Sequence, residues 1–226
     1  MSDQQARQSV LNAVRTALDV KSDDKARKDT VQKRLDSHRA NLIPQRAKAT
    51  GDARLKLFTE MLEGQSAKVS HAKSVSDIPE IVAAYLRENN LPAELRTGSD
   101  ELLGQVPWDK APTLTRHLGR GQGSDAVAMS KARTAAAETG TLFLTSGEEN
   151  PTTLNFLPDT HIAVIRKKDI LGSYEDAWNA LRDIYGARTL PRAVNLVSGP
   201  SRTADIEQII VMGAHGPRRL HVIIVG

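Results

Sequence analysis

Cysteine is absent from all 226 residues of the sequence. This absence excludes disulfide bonds, thiolate zinc sites, iron–sulfur ligation and cysteine nucleophiles in this chain, because each of them needs the sulfur atom. A compact domain of this length buries enough apolar surface to fold without such cross-links. We therefore expect this chain to hold no iron–sulfur cluster.

Long apolar runs are also missing. The first twenty residues are polar and charged and lack the apolar centre of a signal peptide. No apolar run approaches the roughly 20 residues that a membrane helix requires. These features predict a cytoplasmic protein without a membrane span.

Aromatic residues are scarce, at 4% of the chain, although the formal net charge is +4. Residues 1–74 hold 15 Lys and Arg against 9 Asp and Glu, whereas residues 75–226 hold 16 against 18. The excess positive charge therefore belongs to the N-terminal region, where it is not interleaved with aromatic residues that stack on bases. This pattern favours a solvated helical face over a nucleic-acid interface.

Helical patterns occupy the N-terminal part of the chain. One apolar stripe at helical spacing predicts a first helix and consists of Val10, Leu11, Val14, Ala17 and Leu18. A charged second helix over about 24–40 ends before Pro44, and a third helix ends at Gly64. We therefore predict an N-terminal helical arm at 1–64 and an α/β domain at 65–226.

Short apolar strands alternate with helices beyond residue 65. The clearest helix spans 173–185 and can be capped by Ser173, and another begins at Asp77 with Pro79 in its first turn. The alternation predicts an open, mostly parallel sheet of about seven strands covered by helices, with 98–124 as a long loop over it. The predicted strands are 67–70, 93–97, 126–129, 141–145, 161–166, 193–197 and 220–225.

Four segments combine polar residues with glycine or proline beside predicted strands, namely 137–141, 155–161, 198–205 and 213–218. The third has the strongest physical case, because open α/β sheets bind ligands at the carboxyl ends of strands. Free N–H groups at a following helix, capped by Ser201 or Thr203, would form an anion site with Arg202. The alternative is an ordinary turn in which Arg202 pairs with a nearby carboxylate.

Together these segments resemble the lactate-utilisation protein C family, the LUD domain proteins. The resemblance rests on Glu-Thr-Gly-Thr at 138–141, Leu-Pro-Asp-Thr-His at 157–161, Ser-Gly-Pro-Ser-Arg-Thr-Ala-Asp-Ile-Glu at 198–207 and His-Gly-Pro-Arg at 215–218. It implies a fold like that of coenzyme A transferases and ribose-phosphate isomerase. It also implies a role in oxidation of L-lactate to pyruvate alongside iron–sulfur partner proteins.

Two other functions remain open. The chain could be a stand-alone enzyme acting on a small anionic, phosphorylated or acyl-CoA-type metabolite, or a regulatory module that binds a carboxylate without chemistry. The sequence shows neither a P-loop nor a three-glycine dinucleotide fingerprint. A non-redox subunit with an anion-binding cleft therefore fits better than an independent dehydrogenase.

We expect the four segments to build one cleft in which Arg202 holds the negative charge of the ligand. The 138–141 turn precedes its strand, so it reaches the carboxyl rim only if that strand runs antiparallel or the preceding loop crosses over. The candidate ligand-binding residues are Glu138, Thr139, Gly140, Thr141, Asp159, His161, Ser198, Gly199, Ser201, Arg202, Thr203, Asp205 and His215.

Two of these candidates have competing interpretations. Glu138 could act as a nucleophile or base, or its carboxylate could accept hydrogen bonds from backbone N–H groups of the turn. His161 could point into the cleft or bond to neighbouring loops. The spacing of His161, His215 and His221 matches no metal motif, so we expect no metal site.

Overall fold

The computed structural model of the chain describes residues 3–206 and 209–226, and the side chains of these residues except 204–210. The chain divides into two compact units, Met1–Asn41 and Leu42–Gly226. No helix in the described ranges is long and apolar enough to cross a membrane.

The smaller unit contains two helices, α1 (Asp3–Ala17) and α2 (Lys25–Ser37). Asp24 caps α2, since its carboxylate accepts a hydrogen bond of 3.0 Å from the N–H of Arg27. Neither helix buries a residue, and Val10 in the apolar stripe of α1 is 64% exposed. These two helices therefore depend on local sequence features rather than on packing in a hydrophobic core.

The larger unit holds five helices and twelve strands in its described residues. The helices are α3 (Gly51–Gly64), α4 (Ile78–Glu88), α5 (Glu101–Gly104), α6 (Thr153–Phe156) and α7 (Tyr174–Tyr185). The strands are β1 (Lys68–Ala72), β2 (Glu94–Thr97), β3 (Thr115–Leu118), β4 (Val127–Lys131), β5 (Thr134–Ala136), β6 (Thr141–Thr145), β7 (Thr160–Arg166), β8 (Ile170–Leu171), β9 (Val194–Val197), β10 (Arg202–Ile206), β11 (Ile209–Met212) and β12 (Arg219–Val225).

Six strands form an entirely parallel sheet in the order β1-β12-β7-β4-β2-β3. Its central strands are buried on both faces, as parallel sheets require. On one face, Ile162 and Val164 of β7 pack in a core that includes residues of α4. This sheet confirms the mostly parallel α/β fold.

A second sheet of four strands, ordered β8-β5-β6-β9, covers the other face of the parallel sheet. Leu142 and Leu144 of β6 share a core with Ala163 and Ile165 of β7 and with residues of α3. The outer face of β6 carries Phe143, which packs against α7. The two sheets therefore lie between α4 on one side and α7 on the other.

The structure differs from the predicted organisation in the number of sheets. Strands 141–145 and 193–197 belong to the smaller sheet, because β6 pairs antiparallel with both β5 and β9. The region 98–124 is not only a loop, since β3 extends the parallel sheet at its edge.

A helix was expected after residue 201, and this expectation is wrong. The chain instead forms an antiparallel pair of strands, β10 and β11, with Arg202 opposite Met212 and Thr203 opposite Val211. The β-branched residues of this stretch favour strand over helix. The helix N-terminus proposed to bind an anion is therefore absent at Ser201.

The boundary between the units lies at residue 41 rather than at residue 64. Helix α3, assigned to the helical arm, belongs to the larger unit because its Phe58 and Leu62 are fully buried in the core between the two sheets. The arm as a separate unit thus contains α1 and α2.

Candidate functional site

A cavity of about 220 Å³ lies at the amino ends of β7 and β12 and the carboxyl end of β9. Three of the four polar segments contribute to it. Its lining comprises Asn155, Phe156, His161, Leu196, Val197, Ser198, Gly199, Pro200, Ser201, His215, Gly216, Pro217 and Leu220.

The position of this cavity differs from the carboxyl edge that open parallel sheets favour. Residues 198–201 do follow the carboxyl end of a strand, but that strand is β9 of the smaller sheet. The smaller sheet brings this end against the amino ends of β7 and β12, where His161 and Leu220 lie side by side in register. The cavity is therefore formed between sheets rather than at one rim.

His161 is the second residue of β7 and is only 1% exposed. Its Nε2 lies 2.7 Å from the hydroxyl of Ser130, which β4 places on the same face of the sheet. Burial lowers the pKa of His161 to about 4, because the low-dielectric interior disfavours the charged ring. The imidazole is therefore neutral near pH 7.

Asn155 lies in α6, directly before β7, and is also 1% exposed. Its Oδ1 accepts a hydrogen bond of 2.9 Å from Ser130, whereas its Nδ2 is buried without a partner among the described residues. The loop at Gly121 holds α6 in place, since the Gly121 N–H donates to the Thr153 hydroxyl at 2.9 Å. A buried amide nitrogen without a partner is costly to the folded state.

The segment 137–141 does not line the cavity but contacts Ser198, which does. Because β6 runs antiparallel to β9, its first residue, Thr141, lies beside the end of β9. The Thr141 hydroxyl is 2.7 Å from that of Ser198, 2.8 Å from that of Thr139 and 2.8 Å from that of Tyr174. Thr139 and Thr141 therefore support Ser198 from behind rather than lining the cavity.

Glu138 acts as an acceptor for the start of α7. Its Oε1 accepts a hydrogen bond of 2.7 Å from the backbone N–H of Tyr174, the first residue of that helix. A carboxylate is stabilised there by the free N–H groups of the helix terminus. The donor thus belongs to α7 and not to the turn at 138–141, and the Glu138 carboxylate does not line the cavity.

Backbone hydrogen bonds hold the loops at 198–201 and 213–217 together. Ser201 N–H donates to the Pro217 carbonyl at 2.8 Å, and Gly213 N–H donates to the Ser201 carbonyl at 2.8 Å. The Ser201 hydroxyl also accepts from the His215 N–H at 3.2 Å. These contacts place Ser201, His215 and the adjacent glycines around the cavity.

The remaining candidates lie outside the cavity lining. The Arg202 guanidinium donates to the side chain of Gln65, and Asp159 is exposed, with its carbonyl accepting from the Arg219 N–H at 3.2 Å. Thr203 pairs with Val211 in the β10–β11 hairpin. The side chain of Asp205 lies outside the described residues.

The histidines do not gather around a metal. His221 faces the opposite side of the parallel sheet from His161, where its Nε2 is 2.9 Å from the Ser70 hydroxyl and its ring lies 4.2 Å from that of Tyr85. Within the described ranges, no group of three His, Cys, Asp or Glu side chains is placed to hold a metal ion.

Sequence reasoning did not identify Ser130 or the amide of Asn155 as site residues. Ser130 is a fully buried hydroxyl at the end of the apolar run 126–129, and Asn155 opens the second polar segment. A polar residue within a buried strand is a usable signal, but its partner depends on the neighbouring strand.

Residues 55–225 match the family model described as LUD domain. The chain is 39% identical over 90 residues to Lactate utilization protein C of Geobacillus sp. strain WCH70, and 37% identical over 90 residues to Lactate utilization protein C of Bacillus subtilis. Each match covers 39% of this chain, and 37% and 38% of the respective relatives. The matched part is thus less than two-fifths of the length of these relatives.

A crystal structure of a DUF162 family protein from Deinococcus radiodurans has a similar fold. The superposition has a TM-score of 0.59 at 20% sequence identity and covers 79% of this chain and 99% of the other. At this identity the likeness concerns the fold alone.

Proposed function

Because the chain belongs to the LUD domain family, we propose that it takes part in L-lactate utilisation in the cytoplasm. In this proposal it is a non-redox subunit that binds a small ligand, while iron–sulfur partner proteins carry the electrons from lactate as pyruvate forms. The proposal rests on the similarity of this chain to relatives named Lactate utilization protein C.

The proposed roles of this chain and of its iron–sulfur partners follow from the types of residue in the sequence. Iron–sulfur clusters are held mainly by cysteine thiolates, and this chain has no cysteine. The sequence also lacks the glycine pattern that binds a dinucleotide at a strand–helix turn. We therefore propose that the chain binds no redox cofactor and contributes the ligand site.

The cavity beside His161 supports ligand binding by this chain. It combines an apolar wall, which includes Leu196 and Leu220, with the hydroxyls of Ser198 and Ser201. Its volume of about 220 Å³ suits a ligand of a few non-hydrogen atoms. For an anionic ligand, hydroxyl and N–H donors would have to hold the charge, because the Arg202 guanidinium lies outside the lining.

A second candidate is a stand-alone enzyme or regulatory module for a small anionic metabolite. The same cavity favours it, since it brings the His161 ring together with the hydroxyls of Ser198 and Ser201, and imidazole is the side chain that enzymes use most often as a general base. The two candidates differ in whether the isolated chain turns over its ligand.

The proposal is tested with the purified full chain, L-lactate and a redox dye. We expect no lactate-dependent dye reduction by the chain alone, and reduction when cysteine-rich iron–sulfur proteins that co-purify with it from the native cell are added. Dye reduction by the isolated chain would overturn the non-redox assignment.

The cellular role is tested by deleting the gene and measuring growth. We expect loss of growth on L-lactate as carbon source and unchanged growth on pyruvate, with recovery when the gene is restored. Equal growth of the deletion strain on both acids would rule out the role in lactate utilisation.

A further inference from the structure

The hydrogen bonds among Ser130, Asn155 and His161 indicate which atom donates and which accepts in each pair. An amide oxygen only accepts, so the single hydroxyl hydrogen of Ser130 is donated to Asn155 Oδ1 at 2.9 Å. The Ser130 oxygen can then only accept from His161, whose Nε2 is 2.7 Å away. With the Asn155 amide oriented in this way, His161 Nε2 carries the hydrogen.

A neutral imidazole carries a hydrogen on one nitrogen only. Since His161 is buried and uncharged near pH 7, its Nδ1 is a bare acceptor. No residue in the described part of the chain forms a hydrogen bond to this nitrogen, and His161 lines the cavity. The cavity wall thus contains a hydrogen-bond acceptor at His161.

Among its described residues, the cavity lining offers hydrogen-bonding groups rather than fixed charges. Among the described residues that line it, none is Lys, Arg, Asp or Glu, and His215 is the other titratable side chain. Discrimination between ligands of similar size then depends on where they carry hydrogen-bond donors and acceptors, because a buried polar group without a partner weakens binding.

We propose that Ser130 and Asn155 are positioning residues that fix the His161 tautomer, so that the cavity selects a ligand with a hydroxyl over its keto counterpart. The hydroxyl donates to His161 Nδ1. A carbonyl oxygen at the same place is itself an acceptor, so it forms no hydrogen bond with that nitrogen. The choice of L-lactate and pyruvate as matched probes rests on the proposed function; the tautomer assignment does not.

The tautomer is tested by ¹⁵N NMR of the full chain labelled at histidine, at pH 7 and without ligand. We expect His161 Nε2 to show the shift of a protonated ring nitrogen and Nδ1 that of a bare one. Ser130→Ala should leave a mixture of the two tautomers. Protonation of Nδ1 in the unchanged protein would overturn the proposal.

A matched control is available on the other face of the sheet. Ser70→Ala removes the hydroxyl that bonds the second buried histidine, His221, at 2.9 Å. It should leave the His161 shifts unchanged. A change at His161 of the same size in both variants would mean that the effect is a general loosening of the sheet, which contradicts the positioning role.

Selectivity is tested by calorimetric titration with L-lactate and with pyruvate. We expect L-lactate to bind at least roughly tenfold more tightly, since pyruvate leaves the acceptor unpaired. The ratio should fall towards one in Ser130→Ala and stay unchanged in Ser70→Ala. Equal affinities in the unchanged protein would overturn the selection.

The His161 tautomer and the choice of ligand are tested separately. If neither acid binds while the NMR shows the expected tautomer, the tautomer assignment is supported and the proposed lactate ligand is wrong. If growth on L-lactate depends on the gene but pyruvate binds more tightly, the cellular role stands and the selection for a hydroxyl is wrong.

Discussion

At the scale of single residues, two buried histidines occupy neighbouring strands and face opposite sides of the parallel sheet. Burial lowers the pKa of His161 to about 4. Burial, together with the nearby positive charge of Lys68, also lowers the pKa of His221 to about 4. Both rings are therefore held neutral by the folded state at a pH where the unfolded chain already binds protons.

This difference predicts that stability falls as the pH is lowered from about 6.5 to about 4. The unfolded histidine takes up a proton in that window and the folded one does not, so protonation favours unfolding. Each histidine contributes on the order of 3 kcal/mol over the full window. Urea denaturation at pH 7 and pH 4.5 measures the effect.

The double substitution His161→Gln and His221→Gln should reduce the pH dependence of the free energy of unfolding in this window. Exposed His71 provides the control, and His71→Gln should keep the slope of the unchanged protein. An equal slope in the double variant would show that carboxylates, rather than the two histidines, cause the acid sensitivity.

At the scale of secondary-structure elements, the turn at 138–141 joins β5 to β6 under helix α3. Gly140 adopts a left-handed conformation with φ of 64°. A Cβ there would lie 2.8 Å from the Leu62 N and 2.9 Å from the Met61 Cβ. Glycine therefore permits both the turn and the close approach of α3.

Gly140→Ala should destabilise the protein by about 2–4 kcal/mol, the sum of left-handed strain and overlap with α3. Gly64→Ala at the end of α3 is the matched control. A Cβ at that position meets open space. This variant should be unchanged or more stable by up to about 1 kcal/mol.

Urea denaturation of both glycine variants at pH 7 distinguishes the effects. A loss of stability in Gly140→Ala no larger than that in Gly64→Ala would show that α3 shifts without cost, and that the turn does not fix its position.

At the scale of the whole molecule, the two compact units differ in what they bury. Helices α1 and α2 bury no residue, whereas α3 inserts Phe58 and Leu62 into the core between the two sheets. The stability of the larger unit should therefore depend on α3 and not on the first 41 residues.

Two truncations test this dependence. Residues 42–226 should unfold cooperatively with the stability of that unit in the full chain. Residues 65–226 lack Phe58 and Leu62, which should remove at least about 5 kcal/mol and leave no cooperative transition. Circular dichroism during urea titration measures both, and non-cooperative unfolding of 42–226 would show that the N-terminal helices are integral to the fold.

The sequence by itself determined the features that depend on neighbouring residues. Helix α7 begins at Tyr174 with Ser173 as its cap, as the spacing of polar and apolar residues predicts. The apolar runs marked the positions of β1, β4, β6, β7 and β12 within one or two residues of each end. Four ordered motifs were enough to predict the family, which the match over 55–225 confirms.

Only the tertiary structure decided which strands share a sheet and which polar groups meet. A strand pattern does not specify its partner, so the smaller sheet and the β10–β11 hairpin could not be predicted from periodicity. Ser130, Asn155 and His161 come from three elements and meet because β4 and β7 pair in one register. The direction of their hydrogen bonds is a property of that contact, and no single segment of the sequence contains it.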